Sequence, residues 1–118
     1  MKLSKVKELL DAEILCCDGA LDCEVMNACG SDMMSDVLAY VKDQSILLTG
    51  LMNPQVVRTA QMMDMKCIVF VRGKKPNEAV LSLAEENGIM VMTTEYRLYT
   101  ACGLLFSNGL YCEGVDKV

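Results

Sequence analysis

The sequence predicts an α/β fold of three layers, α/β/α, around a mixed and mostly parallel β-sheet. Three apolar segments lead to this prediction: "ILL" at 46, "CIVFV" at 67 and "IMVM" at 89 recur about every 21 or 22 residues. Each is followed by a turn and by a stretch in which apolar residues have helical spacing. Because the segments are continuously apolar, helices should cover both faces of each strand. The sequence therefore predicts three consecutive βα units.

Each of the three helices that follow these strands carries an apolar stripe that can face the sheet. Pro54 and Pro76 lie near the starts of the first two helices, where a missing backbone N–H costs nothing. The predicted stripes are Val56, Val57, Ala60 and Met63 in the first helix, Val80, Leu83 and Ala84 in the second, and Leu98, Ala101, Cys102 and Leu105 in the third.

The N-terminal part of the chain has weaker patterns. It predicts helices in "LSKVKELLDA" and "SDMMSDVLAYVK", the second with Ser31 or Asp32 as its N-cap. Between them, "EILCC" and "CEVMNAC" are expected to be strands that run antiparallel to one another, which makes the sheet mixed. The residues expected to face the core are Leu3, Val6, Leu9 and Leu10 in the first helix and Met33, Met34, Val37, Leu38 and Val41 in the second.

Length and charge narrow the classes of function. A chain of 118 residues fits a single domain, residues 1–118, with one core. The net charge of −5 gives no positive field for a phosphate backbone, so we expect no nucleic-acid partner. The sequence has neither a leader pattern nor an apolar run of the roughly 20 residues that a membrane span needs, so we expect no membrane partner and a cytoplasmic location.

The seven cysteines do not form a metal-ligand pattern. Cys17, Cys23 and Cys29 are spaced six residues apart, but the chain has no Cys-x-x-Cys pair and no histidine. We therefore expect reduced thiols, no metal and no cofactor. The methionines are expected to fill the core, as Met33, Met34, Met62, Met63, Met90 and Met92 fall at core positions of the predicted elements.

The sequence contains few parts of an enzyme active site. The absence of histidine excludes the usual Ser-His and Cys-His pairs, and the glycines form neither a dinucleotide-binding fingerprint nor a P-loop. The carboxylates are expected on solvated faces or at helix ends. We therefore expect no catalytic residues and no enzyme activity.

Polar turns at one edge of the sheet are the candidate ligand site. Right-handed crossovers place the turns after all three strands at the same edge, where helix N-termini favour an anion. Hydroxyls and cations there could bind a phosphate, although threonine and glycine are also ordinary residues of N-caps and turns. The candidate ligand-binding residues are Thr49, Gly50, Asn53, Arg72, Gly73, Lys74, Thr93 and Thr94.

The order and spacing of "MSDVL", "LLTG", "RGKKP" and "AEENGIMVMTT" resemble a DRTGG domain, from about Val25 to Gly109. The resemblance implies a fold similar to the N-terminal domain of HPr kinase/phosphorylase. It also implies a regulatory or dimerising role, as in the DRTGG inserts of phosphotransacetylases and CBS-containing pyrophosphatases, without catalytic residues. Many relatives follow "TGG" with Asp-Arg, whereas Gly50 is followed here by Leu51, Met52 and Asn53.

Two functions follow from these observations. The first is a non-catalytic regulatory module that forms a homodimer and senses a phosphate-bearing or nucleotide-like metabolite. The second is a purely structural interaction module, whose partner by family association would be an iron–sulfur redox enzyme. Its apolar surface would come from "LMNPQVVRTAQMMDM" or from "YTACGLLFSNGLYC", which carry more apolar residues than one buried stripe requires.

Overall fold

The computed structural model describes residues 1–40 and 45–111, which form one five-stranded sheet flanked by helices. The strands are β1 (Glu13–Cys16), β2 (Asn27–Gly30), β3 (Ser45–Thr49), β4 (Cys67–Phe70) and β5 (Met90–Thr93). The helices are α1 (Leu3–Leu10), α2 (Met34–Tyr40), α3 (Pro54–Met62), α4 (Glu78–Glu86) and α5 (Leu98–Ser107), with a 3₁₀ turn at Asp18–Ala20. In these two ranges, no helix has the length and apolar character needed to cross a membrane.

The order of the strands in the sheet is β1-β5-β4-β3-β2. β2 to β5 are parallel to one another, and β1 pairs antiparallel with β5, with Glu13 opposite Thr93. The prediction of a mixed and mostly parallel sheet is therefore confirmed. β1 and β2 do run in opposite directions, as predicted, but they lie at opposite edges of the sheet and are not neighbours.

The chain from β2 to β5 winds across the sheet in one direction, because each strand pairs with the next strand in sequence. With crossovers of one hand, this winding places the intervening helices on the same face. Accordingly, α2, α3 and α4 share one hydrophobic cluster, and α1 and α5 share another on the opposite face. The three-layer arrangement predicted from the sequence is confirmed.

The central strand β4 shows how both faces become buried. Its four residues are all inaccessible to solvent and alternate between the two faces. Cys67 and Val69 pack in the cluster of α1 and α5, whereas Ile68 and Phe70 pack in the cluster of α2, α3 and α4. The continuously apolar sequence of this strand thus reflects a helix layer on each side.

Three residues predicted to be buried are exposed: Met33 by 61%, Leu38 by 38% and Met62 by 72%. α2 begins only at Met34 and follows the edge strand β2, so among the described helices it has a neighbour in its layer, α3, on one side alone. Met62 is the last residue of α3, beyond the part that covers the sheet. The predicted core residue Val41 lies outside the described residues.

We predict that Ile68→Ala lowers the free energy of unfolding by about 2–5 kcal/mol, because it leaves a cavity between the sheet and its helices. Met62→Ala truncates a side chain of similar size that is exposed, and it should change the free energy of unfolding by less than about 0.5 kcal/mol. Urea denaturation measures both values. Equal effects of the two substitutions would contradict the assignment of the core.

Candidate functional site

The carboxyl ends of the four parallel strands meet at one edge of the sheet. Thr49 is the last residue of β3 and Gly50 follows it, and the segment 72–75 lies after β4. Thr93 is the last residue of β5, and Thr94 follows it. The structure adds a fourth turn, since β2 is parallel to the others and ends at Gly30, just before Ser31 and Asp32.

The carboxylate of Asp32 joins the turn after β2 to the turn after β3. Its Oδ1 accepts a hydrogen bond of 2.7 Å from the backbone N–H of Gly50 and one of 2.9 Å from the hydroxyl of Thr49. The Thr49 oxygen in turn accepts the N–H of Leu51 at 3.1 Å. The donors predicted to bind an external anion therefore hold a carboxylate of the protein itself, which lies on the surface.

Two cations from the turn after β4 lie beside this carboxylate. The ammonium of Lys74 donates a hydrogen bond of 3.0 Å to the carbonyl of Gly50. The guanidinium of Arg72 packs over the same glycine, where a Cβ would lie 2.8 Å from Nη2. Within residues 1–40 and 45–111, we find no hydrogen bond or ion pair of this guanidinium, which is exposed. Thr49, Gly50, Asp32, Arg72 and Lys74 are called the edge cluster below.

The backbone that presents Arg72 is in an unusual conformation. Arg72 and Gly73 have consecutive φ angles of +61° and +67°, and the N–H of Lys74 bonds to the carbonyl of Val71 at 3.3 Å. Two left-handed residues inside a four-residue turn are typical of a type I′ turn, which prefers glycine or asparagine. A bulky arginine is unfavourable in this region. The turn therefore accepts local strain at the residue that supplies the exposed cation.

The surroundings of Asp32 keep it ionised. The hydrogen bond from the Gly50 N–H lowers its pKa most, and the Thr49 hydroxyl and the charges of Arg72 and Lys74 lower it further. Desolvation opposes these effects. Because the pKa lies below its ordinary value in the folded protein, the carboxylate stabilises the fold at neutral pH, and this contribution is lost in acid.

Thr93 and Thr94, at the end of β5, lie in a separate cleft of about 140 Å³ beside the edge cluster, called the second cleft below. Their hydroxyls donate to backbone carbonyls: Thr93 to Lys74 at 2.7 Å and Thr94 to Leu10 at 2.6 Å. Around them the cleft has three carboxylates and one lysine, and it is lined by Asp11, Glu13, Gly73, Lys75, Thr93, Thr94 and Glu95. The Lys75 ammonium already pairs with Glu13 at 3.3 Å, so this cleft is less suited to an anion.

Of the predicted site residues, the structure brings Thr49, Gly50, Arg72 and Lys74 together. It places Gly73, Thr93 and Thr94 in the second cleft and uses Asn53 as the N-cap of α3, where its side chain accepts the N–H of Gln55 at 2.9 Å. Asp32 was expected only as a possible N-cap of α2. A parallel assignment of β2 would have put the turn "GSD" at the same edge and revealed Asp32.

An apolar groove of about 450 Å³ lies between α5 and the edge strand β2. Gly30 allows the close approach of the two elements, because a Cβ there would meet the sulfur of Cys102. Tyr99 is 91% exposed at the groove, and the rings of Phe106 and Tyr111 form an edge-to-face pair with centroids 4.7 Å apart. The groove is larger than the cleft at Thr93 and Thr94, and its described lining contains no charged side chain.

The thiols do not assemble into a reactive or metal-binding site in the described residues. Burial raises the pKa of Cys16 to about 11 and also raises the pKa values of Cys67 and Cys102. Residues 1–40 and 45–111 contain no group of three or more cysteine or carboxylate side chains arranged to hold a metal ion. Cys112 lies outside these ranges.

A comparison with protein families finds that the model of the DRTGG domain matches residues 5–107. This chain belongs to the DRTGG domain family. The resemblance recognised in the sequence is thereby confirmed. The match begins upstream of Val25, in the part of the chain whose strand β1 belongs to the sheet and whose helix α1 belongs to the core.

A solved structure supports the fold of this DRTGG domain. The chain is similar to the CBS and DRTGG domains of the regulatory region of Clostridium perfringens pyrophosphatase, solved with the activator diadenosine tetraphosphate. The TM-score is 0.70 at 15% identity, over 99% of this chain and 55% of that chain. This chain therefore spans about half of the regulatory region that it matches. A search of curated proteins found no match.

We predict that Asp32→Asn lowers the free energy of unfolding at pH 7 by about 1 kcal/mol, because it removes the charge from two hydrogen bonds at an exposed site. The difference between wild type and variant should shrink as the pH falls below about 4, the ordinary pKa of aspartate, and vanish below the lowered pKa of Asp32. Urea denaturation across this range measures it. A difference that persists unchanged in acid would show that the ionised carboxylate is not its source.

Proposed function

We propose that this DRTGG domain is a non-catalytic regulatory module that senses a phosphate-bearing or nucleotide-like metabolite at the edge cluster. The observation that carries the proposal is that the cluster already binds an anion, the carboxylate of Asp32, through a backbone N–H and a hydroxyl beside two cations. A phosphate oxygen is stabilised by the same kinds of donor and charge.

Arg72 is the principal binding residue in this proposal. Its guanidinium is exposed and planar, and it can bind a phosphate through two hydrogen bonds. Lys74 contributes a second positive charge, although its ammonium is partly engaged by the carbonyl of Gly50. The strained backbone of Arg72 supports the assignment, since such strain is frequent at functional sites.

The class of ligand has independent support. The regulatory region of the Clostridium perfringens pyrophosphatase was solved with diadenosine tetraphosphate, a nucleotide that carries several phosphates. That region has the fold of this chain as one of its parts. The comparison supports a nucleotide-class ligand, whereas the choice of residues is based on the geometry of the edge cluster.

We predict that Arg72→Asn weakens ligand binding at least tenfold without lowering stability. The loss of a charge-assisted hydrogen bond of about 1.5–3 kcal/mol corresponds to a tenfold to hundredfold change in Kd. Asparagine tolerates a positive φ better than arginine, so the free energy of unfolding should stay the same or rise by up to about 1 kcal/mol. A thermal-shift screen of nucleotides and dinucleoside polyphosphates, followed by calorimetry of the hits, measures binding.

Arg58→Asn is the matched control, because Arg58 is also exposed but lies in the second turn of α3, and the described residues show no contact between it and the edge cluster. It should bind the hits with wild-type affinity. Equal affinity of a ligand for wild type and Arg72→Asn would show that the edge cluster is not its binding site.

Self-association through the apolar groove is a second proposed property. β2 is an edge strand, and the exposed aromatic rings of Tyr99, Phe106 and Tyr111 lie beside it. The sequence predicts two candidate interaction surfaces, one on α3 and one in the C-terminal segment "YTACGLLFSNGLYC". The exposed rings belong to the C-terminal segment and favour it as the interaction surface. Such a surface would serve a homodimer or the interaction module. A redox-enzyme partner and a cytoplasmic location stay predictions from the sequence.

We predict that the wild-type protein sediments as a homodimer and that the double substitution Tyr99→Ser and Phe106→Ser produces a monomer, because it removes exposed apolar area at the groove. Met62→Ser changes an apolar residue on α3 that is 72% exposed, and it should leave the dimer intact. Analytical ultracentrifugation measures both. A monomeric wild type at micromolar concentration, or dissociation caused by Met62→Ser alone, would contradict the assignment.

A further inference from the structure

We propose that Asp32 is an internal competitor for the anion site of the edge cluster, and that a bound phosphate takes the place of its carboxylate and releases the segment before α2. This inference rests on the proposed function of the edge cluster. It adds a mechanism by which binding at that cluster changes the structure of the domain.

The contacts of Asp32 are those of a bound ligand more than those of a helix cap. α2 begins two residues later, at Met34, yet the carboxylate reaches across to the end of the neighbouring strand and accepts from Gly50 and Thr49. The N–H of Met33, next to the helix, is instead satisfied by the hydroxyl of Ser31 at 3.0 Å. The position of Asp32 is therefore determined by the anion site and not by the needs of α2.

Displacement of this carboxylate is physically feasible. Asp32 is exposed, so its side chain can turn into water without burying a charge. A phosphate group brings up to two negative charges, against one on the carboxylate, and so interacts more strongly with the guanidinium of Arg72 and the ammonium of Lys74. Both anions cannot occupy the same two donors, so the binding of one excludes the other.

The exchange would be communicated to α2. The link from β2 to α2 is held to β3 by the Ser31 N–H, which donates to the carbonyl of Leu48 at 3.0 Å, and by the two bonds of Asp32. Loss of the Asp32 bonds leaves the link with its single backbone bond to β3. α2 packs in the same hydrophobic cluster as Cys29 of the edge strand β2, so a change in its position alters the surface that this edge offers to a partner.

Calorimetry with inorganic tripolyphosphate tests this competition. Asp32→Asn keeps the shape of the side chain but removes the competing charge, and it should bind tripolyphosphate at least tenfold more tightly than wild type. Asp36→Asn is the matched control, because it makes the same change in net charge at an exposed position of α2 that does not touch the cluster. Its affinity should stay within twofold of wild type.

The outcomes separate this inference from the proposed function. Wild type that binds tripolyphosphate while Asp32→Asn binds it equally or more weakly would overturn the competition and leave the anion site in place. If neither wild type nor folded Asp32→Asn binds tripolyphosphate, the edge cluster is not an anion site, and the proposed function is contradicted. If Asp36→Asn gains as much affinity for tripolyphosphate as Asp32→Asn, the gain comes from the change in net charge, and the role of Asp32 as a competitor is overturned.

Hydrogen exchange supplies a readout that net charge does not affect. Binding of tripolyphosphate to wild type should lower the protection of amides in residues 31–36, because the Asp32 bonds are lost. Asp32→Asn should show lower protection there already without the anion. Increased protection of this segment in bound wild type would show that Asp32 stays in place and would overturn the proposal.

Discussion

The structure depends on burying both faces of the parallel strands at once. β3, β4 and β5 have no side that can face water, so helices must cover the sheet above and below. Three helices cover one face because the chain winds in a single direction from β2 to β5. The other face is left for α1 and α5, which come from the two ends of the described chain. The antiparallel strand β1 then closes the sheet beside β5.

The same one-way winding determines what kind of site the edge can form. In doubly wound sheets a ligand crevice opens where the strand order reverses and adjacent helices lie on opposite faces. The order of β2 to β5 contains no such reversal, and α2, α3 and α4 lie on one face, so the helices change face only between α4 and α5. The edge cluster joins the turns after β2, β3 and β4, whose helices share one face, and it is made by the turns themselves. Contacts between adjacent turns, such as that of Asp32 with Gly50, therefore decide its chemistry.

The edge cluster combines local strain with charge. Gly50 leaves room for the guanidinium of Arg72, and the left-handed backbone of Arg72 directs the chain so that Lys74 reaches the carbonyl of Gly50. The cation beside Gly50 comes from the next turn along the edge. The turn at Thr49 and Gly50 has no charged residue of its own, and the turns on either side of it place Asp32, Arg72 and Lys74 beside it.

The sequence by itself determined the elements and the layers, because continuous apolar strands and helical stripes are local patterns imposed by burial. It also determined that Thr49, Gly50, Arg72 and Lys74 share one edge, since crossovers have one hand. Only the tertiary structure decided that β1 and β2 lie at opposite edges, because their short patterns do not encode a pairing partner. It also decided that Asp32 occupies the donors of Thr49 and Gly50, since a hydrogen bond between residues 18 positions apart depends on strand register and not on local sequence.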